Sequence, residues 1–348
     1  MRSTGMTSVM ATILILGGLL VCSILGLSIY SYRAMFHPRI RSSEYCKNWG
    51  LEEGEYTEAI FALPWEEVEI FSPYSQSVVR GQYLDPRTIL QGSQEYSPAK
   101  KSVAGVALFV HGITWTWYGM VKYLQGFLKE GWIVLAIDLP AHGASPQGRQ
   151  VYPSYGYHEK YVVDDVVAWL KKRMENQKLP LVLVGESMGA ATVLQYAPLA
   201  APQGTSPEQW KVQAIIADCP YSSAAEELDA RLKASHIPAL LIPPIHWGVN
   251  VLLSVLRGYR LEDASPQDAI MQSPLPIMLV HGKEDTYVPT WMSEQMARRR
   301  KEAAVGPIEL LIVPDAVHAK SAAVHPELWF PAVFDFLRRQ RIRTDPKN

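Results

Sequence analysis

The chain has 348 residues, 48% of them hydrophobic and 19% charged, with a formal net charge of -1. That balance describes a globular protein with a sizeable core, and it excludes a nucleic-acid partner, which needs a surplus of Lys and Arg on one face. Cys22, Cys46 and Cys219 are too scattered for a disulfide framework or a zinc site and read as free thiols.

From Ser8 to Tyr30 there is no charged residue. A helix rises 1.5 Å per residue, so about 20 apolar residues span a bilayer core, and residues 1–32 read as an uncleaved membrane anchor. A cleaved signal peptide would carry a shorter apolar region and a small-x-small site, which is not evident here. Val21 stands where a lipoprotein signal needs a small residue before Cys22. Arg2 precedes the span, whereas Arg33, Arg39, Arg41 and Lys47 follow it, so the positive-inside tendency puts the C-terminal domain on the cytoplasmic side.

Residues 33–65 are mixed and polar and read as a juxtamembrane linker with room for one helix. Residues 67–71 and 78–83 alternate like the arms of an antiparallel hairpin. Short apolar runs rich in β-branched residues then recur at 103–110, 132–137, 181–184, 214–217, 276–280 and 308–313. Helical stretches lie between them, at roughly 117–129, 159–174, 188–199, 289–301 and 327–339. Strands alternating with amphipathic helices predict an α/β domain over 66–340, a mostly parallel sheet covered on both faces.

The rhythm breaks between 217 and 276, where a single crossover helix needs far fewer residues. The insertion, about 222–268, reads as a helical lid over the strand ends. Its apolar portion is interrupted by Pro238, Pro243 and Pro244; with His246, these argue against a second membrane span. Ile237, Leu240, Leu241, Ile242, Trp247, Val251 and Leu252 suggest an acyl or aromatic group beneath that lid.

The chemistry is carried by Gly185-Glu186-Ser187-Met188-Gly189, between the apolar run 181–184 and the helical stretch from 188. A G-x-S-x-G motif is weak alone; framed as strand, turn and helix it reads as a nucleophile elbow. The turn is so sharp that side chains at Gly185 and Gly189 would strike neighbouring backbone, and Ser187 itself is strained. A serine hydroxyl needs a base, and the base an orienting carboxylate, in the chain order Ser, Asp or Glu, His.

His318 follows the last strand run in a short loop, where the base belongs; His236 and His246 fall in the lid, His281 at a strand end, and His325 before Pro326. Asp285 lies a few residues past the run 276–280 and is the chosen acid, with Glu284 as fallback and Asp218 as a third option outside the usual order. The oxyanion donors are the N–H of Met188, after the nucleophile, and that of Ile113, in the loop His111-Gly112-Ile113; the Thr114 hydroxyl lies nearby. His142 and Ser145 read as structural.

Taken in order, His111-Gly112, the segment from Asp138 to Ser145, the Ser187 elbow, and Asp285 with His318 resemble the α/β-hydrolase superfamily over about residues 65–340. More narrowly, Tyr155–Glu159, Ala217–Pro220 and Gly258-Tyr259-Arg260 look like segments of poorly characterised bacterial membrane-anchored serine hydrolases and esterases. The resemblance implies acyl transfer to water with no cofactor and no metal. The expected substrate is a small-molecule ester or lipid, as for a carboxylesterase or monoacylglycerol-type lipase. A serine peptidase or thioesterase on the same fold, or a catalytically silent membrane-tethered scaffold, are the alternatives.

Overall fold

The computed structural model describes residues 3–89 and 102–342; Arg2, one of the charges weighed for orientation, lies outside them. The apolar runs become eight strands: β1 (Glu66–Ser72), β2 (Ser77–Leu84), β3 (Gly105–Val110), β4 (Trp132–Ile137), β5 (Leu181–Glu186), β6 (Ala214–Asp218), β7 (Ile277–Gly282) and β8 (Ile308–Val313). They form one sheet in the order β1-β2-β4-β3-β5-β6-β7-β8. The predicted hairpin is β1–β2, with Glu69 opposite Arg80, and β2 runs antiparallel to β4; the remaining pairs are parallel.

Successive side chains of a strand point to opposite faces. Val106, Leu108 and Val110 therefore enter one core, while Ala107 and Phe109 enter the other. Helices α1 (Ser3–Phe36) and α2 (Ser43–Glu52) precede the sheet. Of the helices interleaved with the strands, α3 (Val121–Lys129) packs into the second core, and α4 (Glu159–Arg173) and α5 (Met188–Ala200) into the first. Between β6 and β7 lie α6 (Ala224–Ala234), α7 (Ile242–Arg257) and the single turn α8 (Pro266–Ala269). After β7 come α9 (Trp291–Glu302) on the first core, the single turn α10 (Ser321–Val324), and α11 (Pro326–Arg339) on the second.

Within residues 33–65, Cys46, Tyr56, Ile60 and Leu63 are buried, and Tyr56, Ile60 and Leu63 join the second core. Pro243 and Pro244 do not interrupt a helix. They occupy the first turn of α7, where a missing N–H costs nothing, and the helix runs on past them. The apolar residues of this stretch fall into two sets. Ile242, Ile245, Val249 and Leu253 recur every three or four residues and pack inward, whereas Leu240 and Trp247 are 85% and 68% exposed.

The end of α1 is part of this packing. Tyr32, Met35 and Phe36 are buried in the first core, and α1 lies against α7. Ser28 Oγ donates to Ile245 O at 3.3 Å and to its own helix at Ile24 O, and a Cβ at Gly248 would overlap the Ser28 side chain. Arg257, in the last turn of α7, donates to the Tyr32 hydroxyl (3.1 Å) and to Phe36 O (2.7 Å). Further up, Ile13, Leu14, Ile15, Leu16, Leu19 and Leu20 are exposed, and the stretch Met10–Phe36 is long and apolar enough to cross a membrane.

Candidate active site

The C-terminal ends of β3, β5, β6, β7 and β8 open on the same edge, and each strand hands its chain to a loop there. At the end of β5 the chain turns so abruptly that Ser187 sits at φ 53°, ψ -117°, before α5 begins at Met188. A Cβ at Gly189 would overlap the Val110 carbonyl oxygen, and one at Gly185 would strike the Gly189 backbone. Glycine is required at both positions because α5 starts hard against β3 and β5.

The turn aims Ser187 Oγ at His318, which donates no hydrogen to it but accepts one: Ser187 O–H to Nε2, 2.9 Å. The Nδ1–H of His318 donates to Asp285 Oδ2 at 2.7 Å. Asp285 Oδ1 accepts from the backbone N–H groups of Tyr287 and Val288, both at 2.9 Å. His281 Nε2 stands 3.2 Å from Oδ2 on the other side. Burial opposes a carboxylate here, but hydrogen bonding by His281 and His318 outweighs it and holds the Asp285 pKa down at about 2. Ser187, His318 and Asp285, chosen from separate motifs, are thus brought into one hydrogen-bonded chain.

The discarded residues lie elsewhere. Glu284 is exposed, with its backbone N–H on Ala316 O. Asp218 bonds to Trp329 Nε1 at 2.9 Å and is buried away from His318. His246 lies between Asp229 and Glu262, and His325 faces Glu327. Among the described residues, one group has metal-ligand spacing, Cys219 with Asp285 and His318. Burial, reinforced by Asp218, pushes the Cys219 thiol up well past its usual range, so it stays neutral beside the pair.

Ile113 lines a cavity of about 310 Å³ together with Gly112, Ser187 and His318; Met188 is buried at the first position of α5, next in chain to Ser187. The Gly112–Ile113 loop is held from behind by two histidines. His111 donates through Nδ1–H to Gly112 O (2.7 Å) and accepts from Leu139 N–H at Nε2 (2.9 Å). His142 donates through Nδ1–H to Pro140 O and accepts from Thr114 N–H at Nε2 (3.2 Å). Burial lowers their pKa values to about 3 and about 4, so both remain neutral, as an accepting nitrogen requires. Ser145 closes the loop that carries His142, donating to Asp138 O at 2.6 Å.

Beneath the elbow lies a buried charge cluster that the motif does not announce. Glu186, the variable residue before the serine, pairs with Lys122 at 2.6 Å, and Glu55 stands 3.8 Å from the same ammonium. The Tyr123 hydroxyl is 2.9 Å from Glu186 and 3.0 Å from Asp218. Burial disfavours the Lys122 ammonium, but Glu186 and Glu55 outweigh it and raise its pKa. Glu55 also meets Lys320, whose ammonium lies over the Trp49 ring. Lysine at 122 on an amphipathic helix reads as surface, and nothing in the linear sequence pairs it with residues 55 and 186.

Known proteins extend this picture. The chain is 29% identical to the uncharacterized protein YqkD of Bacillus subtilis over 278 residues, 80% of this chain and 85% of that protein. An esterase of Pyrococcus furiosus, Pf2001, has a similar fold, with a TM-score of 0.60 at 22% identity, covering 82% of this chain and 94% of the esterase. The acylaminoacyl peptidase of Pyrococcus horikoshii matches with a TM-score of 0.56 at 14% identity, over 82% of this chain but 43% of its own. The model of the alpha/beta hydrolase family matches residues 107–332, from β3 into α11. The chain belongs to the α/β-hydrolase family.

Proposed function

We propose that the protein is a serine hydrolase that cleaves carboxylic esters through an acyl-enzyme. The observation that carries this reading is the unbroken chain Ser187 Oγ–His318 Nε2–Nδ1–Asp285, with both hydrogen bonds under 3 Å. Ser187 attacks the ester carbonyl while His318 takes its proton, and Asp285 steadies the imidazolium that forms. The N–H groups of Ile113 and Met188 receive the oxyanion. His318 returns the proton to the leaving alcohol. It then activates water to release the acid, and serine is regenerated without cofactor or metal.

The substrate is an ester with an apolar acyl or aromatic group, presented at a membrane. Two features of α1 support the location: its upper turns are apolar and exposed, and its lower turns are built into the core. A segment so integrated serves as a retained anchor, with the domain on the cytoplasmic side.

The test is hydrolysis of p-nitrophenyl esters from acetate to palmitate by the full chain and by Ser187→Ala. Turnover that falls by three orders of magnitude or more in the variant is expected. Wild-type turnover that survives the substitution would overturn the assignment of Ser187. Ester inertness of a wild type whose serine still reacts with fluorophosphonates would shift the substrate to peptides or thioesters.

A further inference from the structure

A second cavity, of about 340 Å³, lies beside the catalytic one between α1 and α6. On the α1 side it is lined by Leu27, Tyr30, Ser31, Ala34 and Met35, residues that succeed one another along one flank of the helix. Leu228 and Ala234 of α6, and Ile237 just beyond it, form the opposite wall. Ala34, Arg231 and Tyr287 line this cavity and the Ser187 cavity alike. There the Arg231 guanidinium donates to the Tyr287 hydroxyl (2.7 Å) and sits over the Tyr287 ring. The same ring lies 4.8 Å from that of His318. Tyr287, which borders both spaces, is 47% exposed.

We infer that this cavity is the acyl slot of the enzyme, and that α1 forms one of its walls. From Leu27 to Ala34 the slot follows the helix for about 10 Å. Its far end lies where the exposed apolar turns of α1 begin, and its near end reaches the histidine that serves the nucleophile. The occupant is the single long alkyl chain of the ester held at Ser187. Such a chain leaves an apolar surface only for another apolar surface, and the slot provides a continuous one. The polar part of the substrate is left in the Ser187 cavity, whose lining includes Arg41 stacked on Trp115. This assignment rests on the serine hydrolase reading above. The insertion between β6 and β7 supplies one wall through α6 and Ile237, whereas no α7 residue lines the slot, and α1, read from the sequence as an anchor, supplies the other wall.

The experiment uses the full chain in phosphatidylcholine vesicles and two fluorophosphonates, one with an ethyl and one with a dodecyl chain, which label an activated serine without any ester turnover. The wild type is expected to react faster with the dodecyl probe. Ala234→Trp and Ser235→Trp, at exposed positions that line the slot, are expected to lower the dodecyl-to-ethyl rate ratio at least tenfold. A wild type without preference for the long probe, or a ratio unchanged within twofold in both variants, would overturn the slot while leaving the serine assignment intact. Wild type unreactive towards both probes would instead remove the nucleophile, and the slot with it.

Discussion

Two buried aspartates stand at the ends of neighbouring strands and behave in opposite ways. Asp285, just beyond β7, receives two backbone N–H groups and two histidines, and its pKa falls to about 2. Asp218, the last residue of β6, is as deeply buried but shares the Tyr123 hydroxyl with Glu186. Burial and that neighbouring carboxylate raise its pKa to about 6. The difference teaches that burial alone does not decide a carboxylate's charge; the donors aimed at it and the charges beside it do. One site is built to stay ionised while a proton moves beside it, the other to tolerate a proton under the elbow.

The comparison breaks most visibly through Asp285. Replacing it with Asn keeps the shape but offers His318 a donor in place of an acceptor, which leaves the wrong ring nitrogen protonated. A loss of about four orders of magnitude in kcat is expected, with the fold retained; steady-state ester hydrolysis and thermal unfolding read the two effects separately. A loss under tenfold would mean that Asp285 does not orient the base.

Next comes Lys122, the cation of the Asp218 side. Lys122→Met leaves Glu186 buried without its cation and Glu55 with Lys320 alone, and a loss of about 3–5 kcal/mol is expected by urea unfolding. The smallest effect concerns Asp218 itself. A folded-state pKa raised from 3.8 to about 6 means that stability from the protonated form is full below pH 4 and is lost as pH rises through 6. Asp218→Asn lacks that loss, so its stability relative to wild type should rise by roughly 3 kcal/mol between pH 4 and pH 7. Asp285 has the reverse sign: its contribution is present above pH 4 and disappears as pH falls towards 2. Parallel pH slopes for wild type and Asp218→Asn would remove the contrast.

What was legible in the sequence, and what was not, follows from how far apart the determining residues lie. The strands and helices of the sheet are written in local periodicity, and the elbow in five consecutive residues, so both are readable. Ser187, Asp285 and His318 could be selected because chain order and strand ends constrain them jointly, and the fold brings the three within hydrogen-bonding distance. His281 was placed at its strand end, but its approach to Asp285 depends on the turn between them. The Lys122–Glu186–Glu55 cluster joins three distant segments, and no local pattern marks it. The same holds for α1: an apolar run gives a helix of spanning length, yet its docking on α7 depends on Gly248 making room for Ser28. Composition made 33–65 look like a linker because the few residues that anchor it, among them Cys46, Tyr56 and Ile60, are spread among exposed polar ones.

The clamp of Arg257 on Tyr32 and Phe36 also fixes a length. Because α1 continues without a break from its exposed apolar turns into the wall of the catalytic cavity, it works as a ruler. Tyr30, the last large exposed apolar residue of the helix, precedes Ala34 by one turn, about 5–6 Å of rise. On the anchoring proposed above, a helix embedded as far as Tyr30 would carry Ser187 at a set height just outside the hydrocarbon, and bonds at that depth would come within its reach where bonds far out in the aqueous phase would not.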